Sequence, residues 1–380
     1  MRPTSFLSLL LLTLGLLPQP VHAQAIATAP ARPSGAAPSP ALLPRVRLVA
    51  TGGTISNRNG GRLTAEELVA AMPGIERYVR PEAEQFANTS SSALTLTQWL
   101  ELARRLNALL AEDPDLAGIV VTSGTDTLEE TAYFLNLTVR TTKPVVVVGS
   151  MRNPSTLGYE GAANLLEGFR VAATPEARGK GVLVVLNDEI NAARDVTKTD
   201  ALRLSTFQSR TYGVLGVVDS DRVVFYRALV KRHTERSEFD VTGVEDLPRV
   251  DVAMVYQGAS GDVIKAMVDQ GAKGIVIASA GAGATSGTQG QGIQYAIEKG
   301  VFVVTSTRTG SGRIAARPRG TVPPATPSND DDPAGARPPA ASDRRIAAED
   351  LAPVKARILL MLALTRTSSG AEIQRMFTEY

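Results

Sequence analysis

Short runs of valine, isoleucine and leucine recur along the chain and alternate with segments whose apolar residues have helical spacing. Continuous apolar runs are typical of strands buried on both faces of a parallel sheet, because strand–helix–strand units place helices on both faces. The predicted strands are Val46–Ala50, Gly118–Thr122, Val145–Gly149, Val182–Leu186, Val252–Tyr256, Ile275–Ala278 and Val301–Thr305. The alternation predicts the α/β fold class, built from doubly wound and mostly parallel sheets.

The segments between and after these runs are predicted to be helices. They are Thr64–Met72, Leu96–Ala111, Leu128–Val139, Ala162–Ala173, Asp262–Asp269, Gly292–Lys299, Pro353–Thr365 and Ala371–Phe377. Three of the early helices begin with a threonine that is followed three residues later by glutamate or glutamine, the pattern of a capping box. These pairs are Thr64/Glu67, Thr95/Gln98 and Thr127/Glu130.

The length of 380 residues exceeds what one hydrophobic core usually serves, so we expect two doubly wound domains. The larger, N-terminal domain is predicted at residues 45–229 and the smaller, C-terminal domain at residues 250–380. Between them, residues 230–249 are charged and have no strong pattern, which is typical of a linker. Residues 315–345 are rich in Pro, Ala, Arg and Asp, a composition that predicts a disordered surface insert.

Residues 1–23 have the features of a secretory signal peptide. Arg2 precedes the apolar run Phe6–Leu17, which is too short to span a bilayer, and Val21-His22-Ala23 is a small-residue cleavage signal. Residues 24–44, rich in Ala and Pro, are predicted to be a flexible tether. We therefore expect a periplasmic or secreted protein with no membrane-spanning segment.

The composition excludes several kinds of chemistry. A formal charge of +2 without a long basic run disfavours nucleic acid and membranes as partners. The chain has no cysteine and two histidines, of which His22 would leave with the signal peptide. A cysteine nucleophile and a zinc site built on paired histidines are therefore excluded, and a Ser-His-Asp triad could use only His233. The sequence predicts no metal and no cofactor, and it favours a lysine, tyrosine or carboxylate as the base.

Hydroxyl-bearing turns directly follow the first two predicted strands. They are Thr51–Thr54 and Thr122–Thr127, and both contain glycine. Ligands of open α/β sheets bind beyond the carboxyl ends of the strands, so these turns place hydroxyls and backbone N–H groups at that edge. Such turns can also serve only to cap a helix. A third segment, Arg194–Thr199, follows the fourth strand and carries Lys198, which can be a solvated lysine or, among hydroxyls and a carboxylate, a base of lowered pKa.

Together these segments resemble the signatures of the bacterial type II L-asparaginase and glutaminase-asparaginase family. The similar segments are Thr51–Ile55, Thr125–Ala132 and Arg194–Thr199, with further similarity at Lys143–Arg152 and Lys355–Leu360. The similarity covers residues 45–380 apart from the insert. It implies hydrolysis of L-asparagine to L-aspartate and ammonia by a homotetramer, with glutamine as a further substrate.

The resemblance also implies a role for each site residue. Thr54 would be the nucleophile and form an acyl-enzyme, and Thr125, Asp126 and Lys198 would move protons to activate Thr54 or the water. Backbone N–H groups of the Thr125 turn would stabilise the oxyanion. Substrate would be held by Thr125 and Asp126 and by a serine on its α-carboxylate, for which the best register is Ser91, with Ser92 one residue away.

The chain departs from the family at four places. The family has a tyrosine on a mobile lid after the nucleophile, whereas Ser56–Leu63 contains no aromatic residue, which leaves Tyr159 on another loop as a candidate. Ser123 stands where the family usually has histidine, and Glu160-Gly161-Ala162 where it has Asp-Gly-Pro. The positions that complete a neighbouring subunit's site, near Ser286 and within Ile314–Arg345, are altered.

Three alternative functions remain at this point. Asparagine and glutamine differ by one methylene, worth about 1–3 kcal/mol in a pocket, so a glutaminase-dominant enzyme is one alternative. A family member that binds amides or amino acids without catalysis is another. The third is a dinucleotide-binding protein, because Gly281–Ser286 resembles a nucleotide fingerprint that lacks its third glycine.

Overall fold

The apolar runs form two separate sheets in a computed structural model of the chain, which describes residues 43–316 and 343–380. The predicted signal peptide, nearly all of the tether and most of the insert lie outside the described residues. The strands are β1 (Arg45–Gly52), β2 (Asn57–Arg58), β3 (Gly61–Arg62), β4 (Arg80–Thr89), β5 (Leu116–Thr122), β6 (Val145–Val148), β7 (Val182–Leu186), β8 (Glu189–Ala192), β9 (Thr197–Lys198), β10 (Phe207–Gln208), β11 (Gly216–Val218), β12 (Val223–Phe225), β13 (Val250–Met254), β14 (Gly274–Ser279), β15 (Phe302–Thr307) and β16 (Arg345–Ala347). The helices are α1 (Ala65–Ala70), α2 (Leu96–Glu112), α3 (Leu128–Thr138), α4 (Gly161–Ala173), α5 (Asp262–Asp269), α6 (Gln289–Glu298), α7 (Pro353–Leu364) and α8 (Gly370–Glu379).

The larger sheet has eight strands in the order β12-β11-β8-β7-β6-β5-β1-β4. The five strands from β7 to β4 are parallel, and β8, β11 and β12 continue the sheet in antiparallel pairs. The smaller sheet has four parallel strands, β13-β14-β15-β16. The predicted α/β fold class, with a larger and a smaller mostly parallel sheet, is confirmed.

Helix α7 carries apolar residues all round, and it is buried accordingly. Its side chains belong to the same hydrophobic cluster as those of α3 and of strands from both sheets. One charged residue, Lys355, lies in its first turn and is fully buried. Among the described residues, no helix combines the length and apolar character needed to cross a bilayer.

Two of the three predicted capping boxes are confirmed. Thr64 and Thr95 have extended backbones, and each hydroxyl accepts from the backbone N–H three residues later. The box predicted at Thr127 and Glu130 is wrong: the ψ angle of Thr127 is 20°, so the backbone is not extended and its hydroxyl makes no cap hydrogen bond. The Thr127 N–H donates instead to the Ser91 hydroxyl, at 3.3 Å.

The residues predicted as a linker contribute buried side chains. His233 and Phe239 are both buried, and the Phe239 ring lies 5.1 Å from the ring of Tyr380, the last residue of the chain. Burial lowers the pKa of His233 to about 4, and its Nδ1 is hydrogen-bonded to the Thr234 hydroxyl at 2.9 Å. The imidazole is therefore neutral at neutral pH and takes part in local packing.

Candidate active site

The turns after β1 and β5 lie side by side, because these strands are parallel neighbours in the sheet. The Thr51 hydroxyl donates to the Thr122 carbonyl at 2.6 Å, which joins the two strand ends. Beyond it, Gly53 has a φ of 92° and packs directly on the backbone of Gly124, where a Cβ would overlap. Thr54 and Thr125 each follow that contact by one residue, so the two predicted catalytic turns meet.

Backbone hydrogen bonds fix the turn that carries Thr54. Gly53 N–H donates to the Thr89 carbonyl at 2.8 Å, and the Thr54 carbonyl accepts from Asn57 N–H at 3.1 Å. The Ser56 hydroxyl donates back to the Gly53 carbonyl at 3.1 Å. The Thr54 side chain is thereby held, half-buried, on a turn of defined shape at the carboxyl edge of the sheet.

Three of the predicted residues form a hydrogen-bonded set. Lys198 Nζ donates to Thr125 Oγ1 at 3.0 Å and to Asp126 Oδ1 at 2.7 Å. Thr125 is buried, the Lys198 side chain is 15% exposed and the Asp126 side chain is 76% exposed. The amine is therefore shielded from solvent beside a hydroxyl, whereas the carboxylate that orients it is exposed and can meet a cationic group of a ligand.

A buried ion pair holds the backbone of the segment that carries Lys198. Glu129 Oε1, in the first turn of α3, accepts from the Thr197 hydroxyl at 2.9 Å and from Lys198 N–H at 3.2 Å. Lys355 Nζ donates to the carbonyls of Arg194 and Val196 and lies 3.8 Å from Glu129 Oε2.

Burial lowers the pKa of Lys355 to about 8, with the Glu129 carboxylate opposing that shift. Sequence reasoning missed both residues of the pair. The available signal was a lysine in the otherwise apolar first turn of α7, since a buried lysine needs partners.

The two serines proposed for substrate binding have different surroundings. Ser91 is buried, and its hydroxyl lies against Gly124 and accepts from Thr127 N–H. Ser92 is exposed, and its hydroxyl donates to that of Ser90 at 3.4 Å. The structure thus brings Ser91, rather than Ser92, to the Thr125 turn.

The positions that depart from the family pattern also have defined places. Ser123 is buried, and its hydroxyl donates to the Gly124 carbonyl at 3.2 Å. Tyr159 reaches the turn that carries Thr54, where its hydroxyl donates to the Ile55 carbonyl at 2.9 Å. The Glu160 carboxylate accepts from the backbone N–H groups of Met151 and Arg152. Ser286 belongs to a loop beyond β14, where its hydroxyl accepts from Gly258 N–H at 3.0 Å.

Comparison with known proteins gives one consistent family. The family model "Asparaginase, N-terminal" matches residues 45–231, and "Glutaminase/Asparaginase C-terminal domain" matches residues 249–377. L-asparaginase 2 of Bacillus subtilis (strain 168) is 42% identical over 348 residues, covering 89% of this chain and 87% of that protein. Glutaminase-asparaginase of Pseudomonas fluorescens biotype A is 39% identical over 348 residues, covering 89% and 91%. The crystal structure of a probable cytoplasmic L-asparaginase from Campylobacter jejuni aligns with a TM-score of 0.77 and 38% identity, covering 89% of this chain and all of that one.

Proposed function

The chain belongs to the asparaginase family, and on that premise we propose that it hydrolyses L-asparagine to L-aspartate and ammonia with Thr54 as the nucleophile. The observation that carries the proposal is the set formed by Thr125, Asp126 and Lys198 beside the turn of Thr54. A threonine hydroxyl is a weak nucleophile until a neighbouring group takes its proton.

The reaction proceeds in two half-reactions. Thr54 Oγ1 attacks the side-chain amide carbon, and its proton passes through the Thr125–Lys198 pair to the leaving nitrogen. Ammonia then departs, which leaves the aspartyl group as an ester on Thr54. Water then attacks the ester carbon, its proton passes through the same pair to Thr54 Oγ1 as the ester C–O bond breaks, and aspartate is released. Backbone N–H groups of the Thr125 turn face the developing oxyanion, a contribution of about 3 kcal/mol per donor in such sites.

The α-amino acid part of the substrate is held by groups in and beside the Thr125 turn. The exposed Asp126 carboxylate is placed to attract the substrate ammonium. Ser91, beside Gly124, is placed to hydrogen-bond the α-carboxylate. No metal or cofactor has a role in this scheme.

Export, assembly and domain division belong to the same proposal. Residues 1–23 support secretion or a periplasmic location through their charge and hydropathy pattern. Family membership supports a homotetramer, which light scattering of the purified protein measures. The separate sheets support a catalytic domain at residues 45–229 and a second domain at 250–380, joined by residues 230–249.

The function is tested by measuring ammonia release from L-asparagine and from L-glutamine side by side. We expect asparagine to be preferred in kcat/KM by about tenfold or more, since one methylene in a fitted pocket has an effect of that size. Preference for glutamine would identify a glutaminase-dominant enzyme. Binding of aspartate without ammonia release from either amide, at any pH, would identify a non-catalytic binding protein.

A further inference from the structure

Three consecutive carbonyl groups that follow the nucleophile each accept a hydrogen bond. The Thr54 carbonyl accepts from Asn57 N–H at 3.1 Å, and the Ser56 carbonyl accepts from Leu63 N–H at 2.7 Å. Both donors belong to the Thr54 turn and to the hairpin of β2 and β3 that follows it. The Ile55 carbonyl between them accepts from the hydroxyl of Tyr159, at 2.9 Å, which lies on a different part of the chain. A side chain from outside the hairpin therefore fixes the peptide group between Ile55 and Ser56, one residue beyond Thr54.

The loop that carries Tyr159 makes a second contact with the same hairpin. This loop, residues 150–160, forms all but the first residue of the connection from β6 to α4. Within it, the Ser155 hydroxyl accepts from Asn59 N–H at 2.9 Å, at the tip between β2 and β3. The hairpin is thus held at both its base and its tip by one loop.

The 150–160 loop is braced by its own side chains. The Glu160 carboxylate accepts from the N–H groups of Met151 and Arg152 at the start of the loop. Asn153 Oδ1 accepts from Ser155 N–H at 2.9 Å and from the Thr156 hydroxyl at 3.0 Å. These hydrogen bonds lie within the loop and hold its shape, so the loop can support the hairpin at a defined position relative to the sheet.

The phenol of Tyr159 is closely fitted to its surroundings. Its ring packs against the hydrophobic cluster that contains the fully buried Ile55. It also covers Gly161, where a Cβ would overlap the ring and hydroxyl. Burial raises the pKa of Tyr159, so the hydroxyl keeps its proton and remains a donor at neutral and mildly alkaline pH. Since the ring fills the space in front of Gly161, the hydroxyl is directed at the Ile55 carbonyl.

We propose that Tyr159 is a positioning residue for the nucleophile, acting through its hydrogen bond to the Ile55 carbonyl. This inference rests on the proposed role of Thr54. Rotation of the peptide group after Ile55 would change the backbone conformation of the turn that carries Thr54 and so displace the Thr54 hydroxyl. Displacement of a reacting group by about 1 Å can lower the rate a hundredfold. The substrate-holding groups Ser91 and Asp126 lie on other elements, so the contact governs turnover rather than binding.

The test is the Tyr159→Phe variant, which removes one oxygen and keeps the ring. We expect kcat for L-asparagine to fall by between about tenfold and a hundredfold, while KM changes by less than about threefold. The matched control is Tyr295→Phe on α6, another half-buried tyrosine whose hydroxyl donates to Asp269 at 2.6 Å. The control is expected to keep the kcat of the parent enzyme.

A second variant displaces the same hydroxyl without changing the tyrosine. Gly161→Ala places a methyl group where the Tyr159 ring now lies, at the first position of α4, where alanine favours the helix. We expect the same loss in kcat, with the fold checked by circular dichroism and thermal melting. Unchanged kcat in both folded variants would overturn the inference, and so would a loss matched by Tyr295→Phe.

The inference and the proposed function fail differently. Thr54→Val is assayed beside Tyr159→Phe in the same preparation series. If Thr54→Val is inactive and Tyr159→Phe retains the parent kcat, the positioning role alone is wrong. If Thr54→Val retains activity, the nucleophile assignment is wrong, and the positioning role is overturned with it.

Discussion

Thr54→Val is expected to reduce ammonia release from L-asparagine by roughly a thousandfold or more, which is the scale of effect when a covalent nucleophile is removed. Valine has nearly the shape of threonine, and Thr54 is only half-buried on a turn whose hydrogen bonds come from the backbone and from Ser56. The loss is therefore expected without loss of the fold. Steady-state ammonia assays together with thermal melting measure both quantities.

A matched control for this variant is Thr138→Val. The Thr138 hydroxyl is buried and donates to the Phe134 carbonyl at 2.8 Å at the end of α3 that is remote from the Thr125 turn. Its removal is expected to leave turnover within about threefold of the parent enzyme. Turnover by folded Thr54→Val above a few per cent of the parent value is the outcome that contradicts the nucleophile assignment.

Lys198→Met is expected to lower kcat by between about a hundredfold and ten-thousandfold, the range typical for loss of a proton-transferring group. Methionine has a similar length but neither charge nor donor, so Thr125 Oγ1 loses its partner at 3.0 Å. The Asp126 side chain left behind is 76% exposed, so no unpaired charge becomes buried and the fold is expected to persist. Turnover and aspartate binding are measured in parallel.

Lys265→Met is the matched control for that variant. Lys265 on α5 pairs at 3.0 Å with Asp262, whose carboxylate is about as exposed as that of Asp126. Both residues belong to the part of the chain that forms the smaller sheet. Its loss is expected to change stability by less than about 1 kcal/mol and turnover very little. If folded Lys198→Met turned over asparagine at a rate close to that of Lys265→Met, the proposed proton pathway would be wrong.

The buried parallel strands could be predicted because their apolar runs record burial on both faces. The strands that were not predicted lack a comparable apolar run. β4 is an edge strand with charged residues, and Glu82 on it pairs with Arg45 and Arg47 of β1, so its sequence has no apolar run. The hairpin from β7 to β8 did leave a local signal, Asn187-Asp188, whose φ angles of 57° and 64° fit a tight hairpin turn.

The candidate site could be predicted as far as the topology determines it. Turns that follow parallel strands lie at one edge of the sheet, and this rule led to the turns Thr51–Thr54 and Thr122–Thr127. The roles of Thr54 and Thr125 within those turns were implied by the family resemblance. The supports of Lys198 could not be found in this way, because Glu129 and Lys355 come from helices far apart in the sequence. The third capping box was wrong for a related reason. Thr127 lies in the site turn, where its N–H donates to the Ser91 hydroxyl and not to the Glu130 side chain.

The covalent intermediate is the most direct test of the central claim. The enzyme is mixed with excess L-asparagine, quenched in acid within the first turnovers, digested with a protease and analysed by tandem mass spectrometry. We predict an aspartyl group in ester linkage to the hydroxyl of Thr54, and no such group in the same peptide from Thr54→Val. An aspartyl ester on Thr125, or on any residue other than Thr54, would contradict the account.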